Sequence, residues 1–205
     1  MLESVFIFSW PNLKSITELS SFDRLRHLII INCPNLELFP DHVLPKLNVL
    51  THLTIIDCES VDASFPCGLW PPKLCSLSIG GLKKPMSKWS PQTFPTSLVD
   101  LYLRGGQSED VSNFSQLSHL LPSSLIHLSI NKFEKMESVS MGLQHLTSIQ
   151  HLVISNCPKV MDLPEMLLPS LLSLRIWECP NLKERISKRG SYWPRVSRIP
   201  QTYIP

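Results

Sequence analysis

Apolar positions recur along this chain with two periods at once, and the shorter period is two. In Leu25-Arg-His-Leu28-Ile-Ile30-Ile-Asn-Cys33, Leu28 and Ile30 alternate with variable positions, the signature of a strand with one buried face. The same skeleton, Leu-x-x-Leu-x-Ile, returns at Leu50, Leu74, Leu98, Leu125, Ile149 and Leu171, and a further copy opens the chain at Leu2, Val5 and Ile7. The eight copies follow one another at steps of 23, 25, 24, 24, 27, 24 and 22 residues. A motif kept in phase over so many copies makes the chain one elongated array, in which each unit buries its apolar face against the next.

A period in the twenties carrying this skeleton is the signature of leucine-rich repeats. It predicts an α/β solenoid, a horseshoe with a parallel concave sheet of about eight strands and a mostly irregular or 3₁₀ convex side. At ~4.8 Å per strand the sheet spans ~34 Å. The return segments carry a second phrase, an apolar residue followed by proline, at Phe39-Pro40, Leu44-Pro45, Phe65-Pro66, Phe94-Pro95, Leu121-Pro122, Leu163-Pro164 and Leu168-Pro169. Proline removes a backbone donor and biases the residue before it away from helix, so extended or single-turn 3₁₀ pieces are expected there. A short helix is expected near Ser140 to Thr147. Gly105 to Asp110, in the longest step, reads as a protruding polar loop.

The pattern stops after Leu182, which divides the chain into a solenoid over residues 1–182 and a basic carboxy-terminal cap or tail over residues 183–205. That tail holds six basic residues and one acidic one, so with +2 for the whole chain the first part sums to −3. The two parts therefore differ in sign. Tyr192, Trp193, Val196 and Ile199 are placed to cover the open end of the last repeat, as terminal repeats require. No comparable cap precedes Leu2, and an uncovered sheet edge invites association. On that ground the chain is expected to be the carboxy-terminal portion of a larger protein or a truncated relative of one.

Composition narrows the function classes. A net charge of +2 gives no drive toward nucleic acid, and no apolar run reaches the ~18 residues of a membrane span. Met1 to Trp10 lacks the basic start of a signal peptide, so the expected compartment is cytoplasmic. Eighteen prolines against seven glycines favour stiff turns over long helices. Of the six cysteines, Cys33, Cys58, Cys157 and Cys179 share one repeat position, while Cys67 and Cys75 lie elsewhere. With no Cys-x-x-Cys pair they read as reduced structural thiols. Repeats four to six replace that cysteine by Leu82, Gly106 and Phe133.

Finer motifs point to one group of repeat proteins. They are Cys33-Pro-Asn-Leu36, Cys157-Pro-Lys-Val160, and Cys179-Pro-Asn-Leu-Lys-Glu-Arg185 followed by Tyr192-Trp-Pro194 and Ile199-Pro200. Together they resemble the carboxy-terminal repeats and chain end of plant intracellular nucleotide-binding leucine-rich-repeat disease resistance proteins of the coiled-coil class. The resemblance implies a module that recognises pathogen effectors or guarded host proteins and helps hold a receptor inactive. It also implies an upstream ATP/ADP-binding domain as a neighbour, because this chain has neither a phosphate-binding glycine loop nor a coiled-coil stretch, and it needs no cofactor of its own. The alternative is a substrate adaptor of an F-box ubiquitin ligase. An extracellular ectodomain would show a signal peptide and glycine-rich Asn-x-Leu-x-Gly repeats, which are missing.

Catalysis is not expected, since no nucleophile elbow or His-Glu-x-x-His is present. His27, His52, His127 and His151 all stand just before the second repeat leucine, so each couple should be neighbours on adjacent strands. Neighbouring imidazoles can bind metal, but a half-exposed strand start also tolerates histidine, and no metal site is assigned. The candidate partner-binding residues lie in the two central concave columns. Phe6, Phe8, Ile29, Ile31, Thr54 and Ile56 form an apolar patch at one end, either an interface or simply good strand formers. Tyr102, Arg104, Asn131, Val153, Ser155, Arg175 and Trp177 follow toward the other end, including the Tyr, Arg and Trp typical of binding hot spots.

Overall fold

Each Leu-x-x-Leu-x-Ile unit folds as a five-residue strand, because its second leucine and its isoleucine must leave water on the same face. The computed structural model describes residues 2–16, 19, 22–37, 39, 41–61, 70–89 and 94–205. The repeat strands are β1 (Ser4–Phe8), β2 (His27–Ile31), β3 (His52–Ile56), β4 (Ser76–Gly80), β5 (Asp100–Arg104), β6 (His127–Asn131), β7 (His151–Ser155) and β8 (Ser173–Trp177). They lie side by side in sequence order, all parallel. The register never slips: Leu28, Leu53, Leu77, Leu101, Leu128, Leu152 and Leu174 form one row, two residues ahead of the isoleucine row. From β2 onward both rows are buried at 1% exposure or less.

The residue after every repeat strand but β5 leaves the sheet through a left-handed conformation. Ser9, Asn32, Asp57, Lys132, Asn156 and Glu178 have φ between 49° and 57°, and Gly81 has 64°. Asn and Asp tolerate this region better than most residues. The turn serves the ladder, since the N–H of Ser9, Asn32, Asp57, Gly81, Lys132 and Asn156 donates to the last carbonyl of the following strand at 2.9–3.2 Å. Where the motif has cysteine, the thiol donates back to the carbonyl two residues earlier, at 3.7 Å for Cys33, 3.5 Å for Cys58, 3.2 Å for Cys157 and 3.3 Å for Cys179. These four thiols are free and buried. Burial raises Cys58 to about 11, far from the thiolate form that reacts.

On the convex side 3₁₀ turns cover Asp41–Lys46, Met86–Lys88, Phe114–Leu120 and Leu168–Ser170. Pro40, Phe65-Pro66 and Cys67 lie outside the described residues. The helix expected near Ser140 to Thr147 is absent. Gly142 sits at φ 108°, and Asp162 of the next repeat takes over the preceding backbone, accepting from Val139 N at 2.7 Å and Ser140 N at 3.1 Å. Leu146 N–H donates to Leu143 and Ile149 N–H to Leu146, giving successive turns with a buried residue every third position. The expected protruding loop is likewise pulled in. Its Glu109 is only 8% exposed and accepts from the N–H of Met86 at 3.2 Å, Asp110 at 3.2 Å and Val111 at 3.4 Å. Burial nevertheless raises its pKa above the usual carboxylate value, against the lowering effect of those bonds.

Beyond β8 the chain forms α1 (Pro180–Ile186) and α2 (Trp193–Val196), then a ninth strand, β9 (Gln201–Tyr203), parallel to β8. The sheet thus has nine strands rather than about eight. Leu182, Ile186, Tyr192, Val196 and Ile199 are buried against the last repeat, while Trp193 is half-exposed.

Candidate functional site

The side chains left on the concave face are those that alternate with the buried rows, and they fall into two zones. At the β1 end Phe6 and Phe8 are each 57% exposed, with rings nearly parallel, 8° apart in plane and 6.4 Å between centroids. Ile29, Ile31 and Ile56 are half-exposed beside them, in register through β2 and β3. The sequence-predicted apolar patch is therefore contiguous. Trp10, 54% exposed, stands close after β1 and was not among the predicted residues.

The second zone is divided by a polar ladder. Arg104, at the end of β5, reaches back to Asp57, its Nε donating to the two carboxylate oxygens at 2.9 and 3.1 Å. Its other arm donates to Asn131 Oδ1 at 2.7 Å, and Asn131 Nδ2 donates to Ser155 Oγ at 2.7 Å. Asp57 follows β3 and Arg104 ends β5, with β4 between them, and Gly80 and Gly81 open the route. A Cβ on Gly81 would sit 2.5 Å from Asp57 Oδ1. Burial acts to lower the Arg104 pKa, but the hydrogen-bonded Asp57 carboxylate and the neighbouring Tyr102 outweigh it and the pKa is raised. Asn131, one of the predicted contact residues, is 7% exposed with its amide committed inside the ladder, so it positions Arg104 more than it faces a partner.

Beyond the ladder a recess of about 580 Å³ is lined by Arg104, Lys132, Glu134, Asn156, Pro158 and Glu178, mixing both charges. A second, of about 350 Å³, lies between Trp177 and Pro205. Arg175 is exposed and Tyr102 and Trp177 half-exposed. Tyr203 extends the Arg175 column onto β9 and is 57% exposed. The repeat skeleton gave no warning of it, since the tail lacks the leucine pattern.

At the other margin of the same face the first residue of each strand forms a row in which His27 lies beside His52 and His127 beside His151. Ring centroids are 4.6 and 4.4 Å apart. The pKa of His52 is lowered by burial and then by His27, with Asp100 opposing; that of His151 is lowered by burial and then by His127 and Arg175. As pH falls below about 6.5 the unfolded chain takes up these protons before the folded one, so stability drops with pH in that window. Both rings are well solvated and the effect is small. The double variant His52→Asn, His151→Asn should flatten the pH dependence of the urea midpoint between about pH 7 and 5.

No protein-family model matches the chain. The leucine-rich-repeat domain of the type III effector XopL covers 99% of this chain and 76% of its own, at a TM-score of 0.55 and 16% identity. The fold is a leucine-rich-repeat solenoid. In sequence this solenoid is 29% identical over 184 residues, 88% of its length, to a protein of Arabidopsis thaliana named as a disease resistance protein. It spans 13% of that protein's length. The solenoid is thus disease-resistance-like in sequence, and no helix among its described residues is long and apolar enough to cross a membrane.

Proposed function

We propose that the solenoid is the protein-recognition module of a cytoplasmic plant immune receptor of the nucleotide-binding, coiled-coil class. The observation that carries this reading is the likeness to the Arabidopsis disease resistance protein, which runs along 88% of the chain and so takes in nearly the whole concave face. The two zones of that face supply two surfaces. Phe6, Phe8, Ile29, Ile31 and Ile56 present apolar area suited to an upstream domain of the same receptor, a contact that contributes to autoinhibition. Tyr102, Arg104, Arg175 and Trp177 present aromatic and guanidinium groups to a pathogen effector or host protein. Arg104 is already held by Asp57 and Asn131, so less conformational freedom is lost when a partner docks. The module works by binding and is not catalytic, and any ATP or ADP belongs to the upstream domain.

The test is the receptor carrying Arg175→Ala and Trp177→Ala together. Hot-spot residues each contribute about 2 kcal/mol or more, so binding should weaken at least about thirtyfold, and the defence response to the effector should be lost. An unchanged response with unchanged co-precipitation of the partner overturns the assignment of this zone.

A further inference from the structure

We propose that the two cross-strand histidine pairs, His27 with His52 and His127 with His151, are surface binding sites for a transition-metal ion of the copper or zinc class. Each pair occupies the same register position on adjacent parallel strands, so both imidazoles project to one side of the sheet about one strand spacing, ~4.8 Å, apart. The rings are not stacked flat: they are tilted by 38° and 55°, with centroids 4.6 and 4.4 Å apart. Two nitrogens that share one ion lie about 2.0–2.1 Å from it and so stand no more than about 4.2 Å apart, a separation within reach of rings whose centroids are this close.

Hydrogen bonds set the first pair up further. Thr51 Oγ1 lies 3.1 Å from Arg26 O and 2.9 Å from His52 Nδ1, and with the hydroxyl proton on Arg26 O the ring donates from Nδ1 and keeps the Nε2 lone pair. Ser4 Oγ stands 3.1 Å from His27 Nδ1 and engages the same nitrogen on the other ring. A partner on the far ring nitrogen is how metal-binding histidines are commonly oriented. His52 and His127 are exposed and their neighbours half-buried, so an ion has access.

Ser76 and Asp100 separate the pairs along the row. Among the described residues no three metal-capable side chains meet, so each site supplies two protein nitrogens. The remaining positions fall to water or to a carboxylate or imidazole of a bound protein. Imidazole donors suit copper, zinc and nickel, whereas magnesium and calcium require oxygen donors.

The experiment is calorimetric titration of the full chain with Cu²⁺, with electron paramagnetic resonance of the bound ion. Each pair should add one equivalent whose spectrum shows imidazole nitrogen coupling. His52→Asn and His27→Asn should each remove the same equivalent, and His52→Asn with His151→Asn should remove both, with circular dichroism unchanged. Zn²⁺ should compete and Mg²⁺ should not. Retention of both equivalents in the double variant, or a wild-type spectrum of aqueous Cu²⁺ only, overturns the proposal.

Discussion

Replacing Gly80 with alanine is expected to destabilise the solenoid by about 3–5 kcal/mol, combining backbone strain with overpacking. Gly80 closes β4 at φ 149°, in the region that L side chains rarely adopt. A Cβ there would lie 1.8 Å from the carbonyl oxygen of Arg104, 2.6 Å from its carbonyl carbon and 2.8 Å from its nitrogen. These are backbone atoms of β5, and that carbonyl oxygen already accepts from Gly81 N–H, so they cannot swing aside as a side chain would. The added methyl must force β4 from β5 just where Arg104 reaches over to Asp57. Because each strand pairs only with its sequence neighbours, a weakened junction uncouples the repeats before it from those after it. A urea titration followed by circular dichroism should therefore show an earlier midpoint and a melt resolved into two steps. Ser78→Ala, on the same strand, should leave both near wild type. One transition at an unchanged midpoint for Gly80→Ala would show that the junction accommodates a methyl group.

The second large effect is expected from a substitution that improves the match to the repeat motif. Phe133 stands where four other repeats have cysteine, and it is completely buried. The preceding repeat has Gly106 in the same column. A Cβ on Gly106 would meet Gly81 Cα at 2.7 Å, so the small residue is fixed there, between the larger Leu82 and Phe133 of the same column. Phe133→Cys restores the motif and the back-donating thiol, but it removes an aromatic ring from a fully buried site. Phe→Ala changes in cores cost about 3–5 kcal/mol; the slightly larger cysteine should cost about 3 kcal/mol. The net thiol bond returns only ~1 kcal/mol at most. A denaturation midpoint equal to or above wild type would show that the repeat relaxes around the smaller residue.

The two cases show what the sequence could and could not disclose. The repeat strands and their buried face were legible, because Leu28, Ile30 and their counterparts are chosen by burial alone and burial repeats with the chain. The concave columns followed from the same alternation, so Phe6, Phe8, Arg175 and Trp177 stand where the pattern put them. What escaped were interactions that join repeats out of step with the motif. Arg104 bonds across an intervening strand, and its only sequence sign is the adjacent glycine pair Gly80-Gly81. Asn131 counts as a face residue by alternation but is buried by its two partners. Glu109 looks like a loop charge, and only the fold reveals the three N–H groups that turn it inward. The left-handed residues after the strands did leave a sign, the Ser9, Asn32, Asp57, Gly81 and Asn156 column, which is enriched in types that tolerate positive φ.

The strictly sequential strand order carries a mechanical consequence. Interstrand hydrogen bonds run along the long axis of the array, so a pull between Ser4 and the last strand loads every junction in series, and all carry the same tension. The weakest then yields first and shields the rest. Strand β9 pairs with β8 through three residues where the other junctions have five, so β9 should part first and the repeats should follow one at a time, in a sawtooth rather than a single rupture.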